Sequence, residues 1–313
     1  MEKLPAKPHD QYVKELLRHS DAAAEFLTHA LPAEVCALLD LQRLRYTGNS
    51  YTSHELRELL SDVVLSVPLL SSDQDTEVTI LIEHKSFKDR MTPFQLLSYV
   101  AEGYQKQMKQ DKKLKLIVPV VYYHGKQKWQ LPAFSGFFPD LPGALQKYVP
   151  GLQVDMMSIR NMSREQILAV TNGKLRAALM VHKGAHERLF ALEEYARVIN
   201  MLYKESRGNF FISTIVYIFS VDYFNPQEFQ TVTSHLDTPT KRKTMTLREH
   251  FIAEGIEKGI EKGIEKGIEK GIQQGSLQSR YDFARKLLQR NMPLEDICEL
   301  TDLTIEEVKG IKV

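Results

Sequence analysis

The sequence predicts an α/β fold: a β-sheet core flanked by helices, followed by an all-helical region and a helical tail. Three observations carry this. Between Thr76 and Lys85, apolar Val78, Ile80 and Ile82 alternate with Thr79, Leu81, Glu83 and Lys85, a period of two that marks a strand. Leu114 to Tyr123 is a near-continuous apolar run, the pattern of a strand buried on both faces. From Ser163 the apolar spacing turns helical, broken at Asn172-Gly173, Lys183-Gly184 and Arg207-Gly208-Asn209.

The elements follow in order. Tyr12, Val13, Leu16 and Leu17 form an apolar stripe on a helix over 9–19. Asp10 sits near its start, where an acid is favoured by the partial positive charge of a helix N-terminus. Ser20-Asp21 begin a second helix ending near His29, and Pro32 restarts the chain for a short one over 34–39. Leu41 to Tyr46 and Gly48-Asn49 read as connector. Leu60 to Val67 is a second short strand, bounded by Pro68 and Ser71-Ser72-Asp73. A connection this short suits an antiparallel neighbour, so it pairs with 76–85. Ser86 to Met91 is a loop carrying Lys88 and Arg90, and Thr92-Pro93 opens a helix ending near Gln110. Gly125 to Pro150 reads as a surface loop and 154–159 as a last strand. Helices are expected over 166–170, 175–182, 186–202 and 210–219.

At 313 residues with 43% hydrophobic content, the chain is long enough for a core domain with an appended module. The formal net charge of +1 excludes a global basic footprint, so a nucleic-acid partner must be held by local patches. Cys36 and Cys298 are the only cysteines. They form neither a zinc-ligand spacing nor a disulfide framework, and they fit a reducing cytoplasm. The opening MEKLPAKPHD has no apolar signal-peptide core, and no run of about 18 apolar residues predicts a membrane span.

Glu83 and Lys85 are two apart on the 76–85 strand and therefore share a face. A hairpin brings Asp62, 21 positions before Glu83, to the same rim. Two carboxylates there suit a hard cation such as Mg²⁺, and the lysine beside them suits a metal-bound water or an attacked phosphate. The bland alternative is a solvated ion pair of little energetic consequence. Context favours the site: Gln95 and Tyr99 follow on one face of the next helix, and the 114–123 strand comes after it.

Asp62, then Glu83-His84-Lys85, then Gln95-x-x-x-Tyr99 resembles the D…(D/E)-x-K plus Q-x-x-x-Y signature of the PD-(D/E)xK phosphodiesterase superfamily. His9-Asp10-Gln11-Tyr12-Val13-Lys14-Glu15-Leu16-Leu17 and Pro119-Val120-Val121-Tyr122-Tyr123-His124-Gly125 with Trp129 resemble more closely the Rpn family of recombination-promoting nucleases, also described as transposases. The resemblance runs from about residue 5 to the C-terminus, with one departure: Ser61 stands where the superfamily name has proline. It implies a restriction-endonuclease-like mixed sheet and a metal-dependent endonuclease that cleaves double-stranded DNA and promotes recombination. Its catalytic set would be Asp62, Glu83, Lys85 and Gln95. The metal, Mg²⁺ with Mn²⁺ or Ca²⁺ as alternatives, would be held by Asp62, Glu83 and the backbone carbonyl of His84. Asp10 would be an extra acid from the early helix, with helix capping as the competing reading. Lys88, Arg90, Lys112 and Lys113 are the candidates for the DNA backbone, the last two in a run from Lys106 to Lys115. His124 reads as a buried, hydrogen-bonded histidine rather than a general base, and Tyr99 as structural. The implied location is cytoplasmic, with the nucleoid. The other functional class is a DNA-binding or transposase-related scaffold without turnover.

Four regions are expected: 1–160, the nuclease-like core; 161–232, a helical subdomain packed on it; 233–275, a linker (233–244) and a repeat helix; and 276–313, a small bundle. The repeat is Gly-Ile-Glu-Lys, starting at Gly255, Gly259, Gly263 and Gly267 and ending in Gly271-Ile272-Gln273-Gln274. On a helix a four-residue step turns about 400°, so its rows wind slowly around the axis. Each interior glycine costs roughly 1 kcal/mol against alanine, which makes a lone helix marginal. Two readings follow: a helix that pairs with another copy of the chain into a homo-oligomer, or a flexible tether. Beyond it, 281–290, 294–300 and 305–311 read as three short helices resembling a helix-turn-helix. Its second helix opens Thr304-Ile305-Glu306-Glu307, acidic and without the Arg or Asn that reads bases, so protein contact is the equal alternative to DNA contact.

Overall fold

The computed structural model describes residues 8–47, 63–70, 76–110, 114–187, 189–206, 209–221 and 223–311. Asp62, Lys112 and Lys113 lie outside them. The chain divides into two compact units, 1–248 and 249–313.

The first unit is a five-stranded mixed sheet with helices on both faces. Helices α1 (Pro8–Arg18), α2 (Ser20–Ala30) and the single turn α3 (Ala33–Cys36) lead to the two-residue strand β1 (Arg45–Tyr46). Strands β2 (Val63–Pro68) and β3 (Glu77–Lys85) form the expected antiparallel pair, in a register running from Val63 opposite Ile82 to Pro68 opposite Glu77. After α4 (Thr92–Lys109), β4 (Ile117–Tyr123) lies parallel to β3, with Tyr123 opposite Lys85, and β5 (Asp155–Ser158) lies parallel to β4. The spatial order is β1-β2-β3-β4-β5. Connector was expected over 41–46; instead Arg45 and Tyr46 pair with Ser66 and Leu65 and cover the outer edge of β2, an edge that would otherwise present unpaired backbone groups.

The period-two reading of β3 holds. Val78, Ile80 and Ile82 face the larger core, together with Tyr12, Leu16, Phe26 and Tyr122. The opposite face is also covered: Leu81 packs with Val64, Val121 and Tyr123 against Leu96 and Val100 of α4. Glu83 and Lys85 are on this second face, so they end under a helix and not on a wet rim.

The helical region follows as α5 (Arg164–Ala169), α6 (Gly173–Gly184), α7 (Leu192–Ser206), α8 (Asn209–Ser220) and α9 (Pro226–Ser234). Reciprocal hydrogen bonds between Ser163 and Gln166, and between Asn225 and Glu228, set the starts of α5 and α9. Helix α7 begins at Leu192, not at His186 as the sequence suggested; α9 was not foreseen. The expected linker over 233–244 is mostly helix, because α10 (Thr238–Leu288) starts at Thr238 and buries Thr240 and Thr244.

In the second unit the later part of α10 contains the repeat and runs on through Tyr281, so 281–288 is not a separate helix. It packs Ala284 and Leu287 against Ile297 of α11 (Leu294–Thr301) and Val308 of α12 (Ile305–Lys309). A left-handed Asp302, φ 52°, ends α11, and Thr304 with Glu307 caps α12.

Candidate active site

The site sits at the carboxyl ends of β3 and β4, where open α/β sheets present ligand-binding side chains. Three chain segments converge on Lys85. Its ammonium lies 3.0 Å from Glu83 Oε1, 3.0 Å from Asp89 Oδ2 and 2.8 Å from Gln95 Oε1. An ammonium has three donors, and here each has an oxygen. Glu83 is 5% and Lys85 8% exposed, so this is a buried cluster and not a surface ion pair. Burial works against the charge on Lys85, but Glu83 and Asp89 outweigh it and raise the amine's pKa. The lysine is therefore held as a cation.

Gln95 reaches the cluster because Pro93 starts α4 directly after the loop, placing the fourth helical residue over the end of β3. Tyr99, one turn on, packs in the second apolar layer. Asp89 was missed at the sequence level. It belongs to the loop, where nothing marks it as special. Its Oδ1 accepts from Met91 N at 2.9 Å and its carbonyl accepts from Thr92 Oγ1 at 2.9 Å. Burial pushes its pKa up, but the Met91 amide and the Lys85 ammonium more than reverse this and hold it below the ordinary carboxylate value.

Glu83 Oε2 is buried and has no hydrogen-bond partner. Such an atom is costly unless a donor or cation meets it. Glu83 and Asp89 against Lys85 leave one negative charge in excess. Among the described residues no cluster of three or more His, Cys, Asp or Glu is arranged to hold a metal. Asp62, the expected second carboxylate, is outside them; its neighbour Val63 is paired with Ile82, the residue before Glu83.

The other expected residues separate. Asp10 turns to the back of the strand: its Oδ2 pairs with Lys14 at 3.1 Å and its Oδ1 lies 3.8 Å from His84 Nδ1, with no hydrogen bond. His84 alternates with Glu83 and Lys85 and so faces away from them. There it joins a set of histidines that the sequence did not reveal. The rings of His84 and His124 are 5.8 Å apart and those of His124 and His182 4.3 Å, both stacked, while His9 lies 5.2 Å from His124. Burial, then mutual repulsion, pushes His124 and His182 well below 6.5. His182 Nδ1 bonds the Tyr122 hydroxyl at 2.7 Å. His124 is buried as expected, but its Nε2 has no hydrogen-bond partner; its backbone donates to Lys85 O at 3.0 Å and accepts from His186 Nε2 at 2.9 Å.

Of the backbone-contact candidates, Lys88 and Arg90 are exposed beside the site. Two described members of the lysine run, Lys106 and Lys115, are not beside it. Lys106 is eleven residues past Gln95, about 16 Å along α4. Lys115 pairs with Glu77 at the opposite end of β3, about 26 Å from Lys85 by strand rise.

Gly125 closes the site's floor. A Cβ there would come within 2.6 Å of Ser86 O and 2.5 Å of Tyr123 Oη, so the turn after β4 can approach the loop after β3 only without a side chain.

Residues 7–209 match the family model described as "Putative transposase, YhgA-like". The chain is 24% identical over 315 aligned residues to "Recombination-promoting nuclease RpnA" of Escherichia coli strain K12, covering 98% of this chain and 97% of that one. It is 28% identical to "Recombination-promoting nuclease RpnC" of the same strain, covering 97% and 96%. It is also 34% identical, over 40% of this chain and 42% of the other, to "Inactive recombination-promoting nuclease-like protein RpnE" of that strain. No solved structure matches. With the model covering most of the sheet and the helical region, this chain belongs to the YhgA-like transposase family, alongside the recombination-promoting nucleases.

Proposed function

We propose that the protein is a metal-dependent endonuclease that hydrolyses phosphodiester bonds in DNA and so promotes recombination. The observation that carries this is the Lys85 cluster: a buried lysine fixed by three oxygens beside a buried, unpartnered carboxylate oxygen, in a chain similar along its length to proteins named as nucleases.

The residues fit a divalent cation. Glu83 Oε2 is free to coordinate, the cluster has an excess negative charge, and Asp62 directly precedes Val63 in the chain, which pairs with Ile82, the residue before Glu83. Asp62, Glu83 and the His84 carbonyl would hold the ion, with Mg²⁺ as the first choice. When bound, the ion supplies charge to polarise the phosphate and to acidify a water. Lys85 does not act as a general base, since Glu83 and Asp89 keep it protonated. It gives a fixed positive charge to the oxygens on which charge develops. Gln95 and Asp89 set its position, and Lys88 and Arg90 meet the flanking phosphates.

The test is nicking of supercoiled plasmid across Mg²⁺, Mn²⁺ and Ca²⁺, with Asp62→Ala and Lys85→Ala beside the wild type. The expected result is cation-dependent nicking by the wild type, reduced about 10²–10³-fold in Lys85→Ala. Equal behaviour of all three proteins returns the chain to the scaffold class; a relative, RpnE, is itself named inactive.

We also propose that the repeat helix joins two copies of the chain. Ile256, Ile260, Ile264, Ile268 and Ile272 are 58–66% exposed, and such a row of large apolar side chains is costly to leave in water.

A further inference from the structure

The loop after the catalytic strand carries a second kind of surface. Phe87, two residues beyond Lys85, is 66% exposed, and Met91 on the same loop is 52% exposed. Lys88 and Arg90 stand between them in the chain. The loop is not loose. Asp89 ties its middle to Lys85 and its end to Met91 N and Thr92 Oγ1. Arg90 fixes its outer side: the guanidinium lies 4.9 Å from the centre of the Phe137 ring, and Phe137 packs edge-on against Phe94 of α4 at 4.8 Å. The Phe87 ring is therefore held in water by a braced backbone, at an energetic cost that a monomer normally avoids.

We propose that Phe87 is a stacking platform for an unpaired nucleobase of the DNA strand being cut. Exposed aromatic rings interleaved with Lys and Arg suit single-stranded nucleic acid: the ring takes a base face and the cations take the flanking phosphates. In intact duplex the bases already stack on each other and offer no face to a protein ring. The distance also suits a base close to the cut. Phe87 is only two residues past Lys85, on a loop tied back to that lysine through Asp89. The preferred substrate is thus DNA with unpaired bases beside the scissile phosphate, such as a gap, a flap or a frayed end. This narrows the nuclease reading above and takes from it the position of the cut; the binding itself needs no cleavage.

The experiment measures fluorescence anisotropy of two labelled oligonucleotides with the full chain in EDTA, one fully paired and one with a short run of unpaired thymines. Wild type should bind the gapped probe more tightly. Phe87→Ala should lose about tenfold on the gapped probe, ~1.4 kcal/mol, and almost nothing on the paired one. Phe87→Trp should keep the preference, and its emission should be quenched by the gapped probe, whereas wild type, with Trp129 alone, should show no such quenching. Lys88→Ala should weaken both probes alike. A wild type that binds neither probe, or shows no preference, overturns the proposal, as does a preference that survives in Phe87→Ala. The nuclease reading fails separately: a protein that prefers the gapped probe but never nicks plasmid keeps the platform and loses the enzyme. One that nicks without this preference keeps the enzyme and loses the platform.

Discussion

Lys85 is surrounded by two carboxylates and an amide, and each variant of its partners changes a different property. Asp89→Asn removes one of the charges that raise its pKa, so the amine should titrate at lower pH. Reactivity of Lys85 toward an amine-acylating reagent as a function of pH measures this without any cleavage, and an unchanged profile would mean that Asp89 is only a loop brace. Gln95→Ala takes a neutral acceptor from a charged donor, a contact of about 1.5–3 kcal/mol. Plasmid nicking should fall about tenfold or more, with little change in the metal concentration required. Gly125→Ala acts through space alone. The added methyl meets the Ser86 carbonyl, and overpacking of this kind costs about 1–3 kcal/mol, to be seen as a lower midpoint in urea unfolding.

The repeat helix makes its argument as an element. Around the helix the rows fall in the order Lys, Gly, Ile, Glu, about 100° apart except where Lys and Gly stand closer. Within one chain each charged row places like charges at i and i+4, which is destabilising. Two parallel copies meeting at the Ile–Gly face set the Lys row of one against the Glu row of the other; antiparallel copies set like against like. The expected state is therefore a parallel pair, disrupted by Ile260→Ser with Ile264→Ser. Sedimentation of the full chain tests the pairing, and disulfide trapping of a cysteine placed at Gln274 tests the direction, because only parallel copies bring the two Gln274 positions together.

Across the whole first unit, the buried histidines join the sheet to the helical region, since His84 and His124 come from strand ends and His182 from α6. His124 and His182 are neutral in the fold, with pKa values held well below 6.5. The unfolded chain takes up their protons below pH 6.5, and the folded chain does not. Stability present above that pH is thus lost as pH falls, by up to about 1.4 kcal/mol per unit for each histidine until the folded values are reached. Thermal midpoints should decline from pH 7 to pH 5, more steeply than in His182→Gln. A flat profile would show that these rings protonate within the fold.

The sequence by itself determined four of the five strands, the antiparallel pairing of β2 with β3 and the shared face of Glu83 and Lys85, because alternation, apolar runs and Pro or Gly breaks act over a few residues. It located Gln95 for the same reason, through the helix start at Thr92-Pro93. It did not determine burial of the cluster, since the α4 cover on the second face of β3 is a packing fact. Nor did it reveal Asp89, which reaches Lys85 through the path of a loop, or the histidine cluster, whose members lie as far apart in the chain as His9 and His182. Tertiary structure also put Lys106 and Lys115 of the lysine run away from the site and sent Asp10 to the back of the strand, because where a side chain arrives depends on the length and direction of the element that carries it.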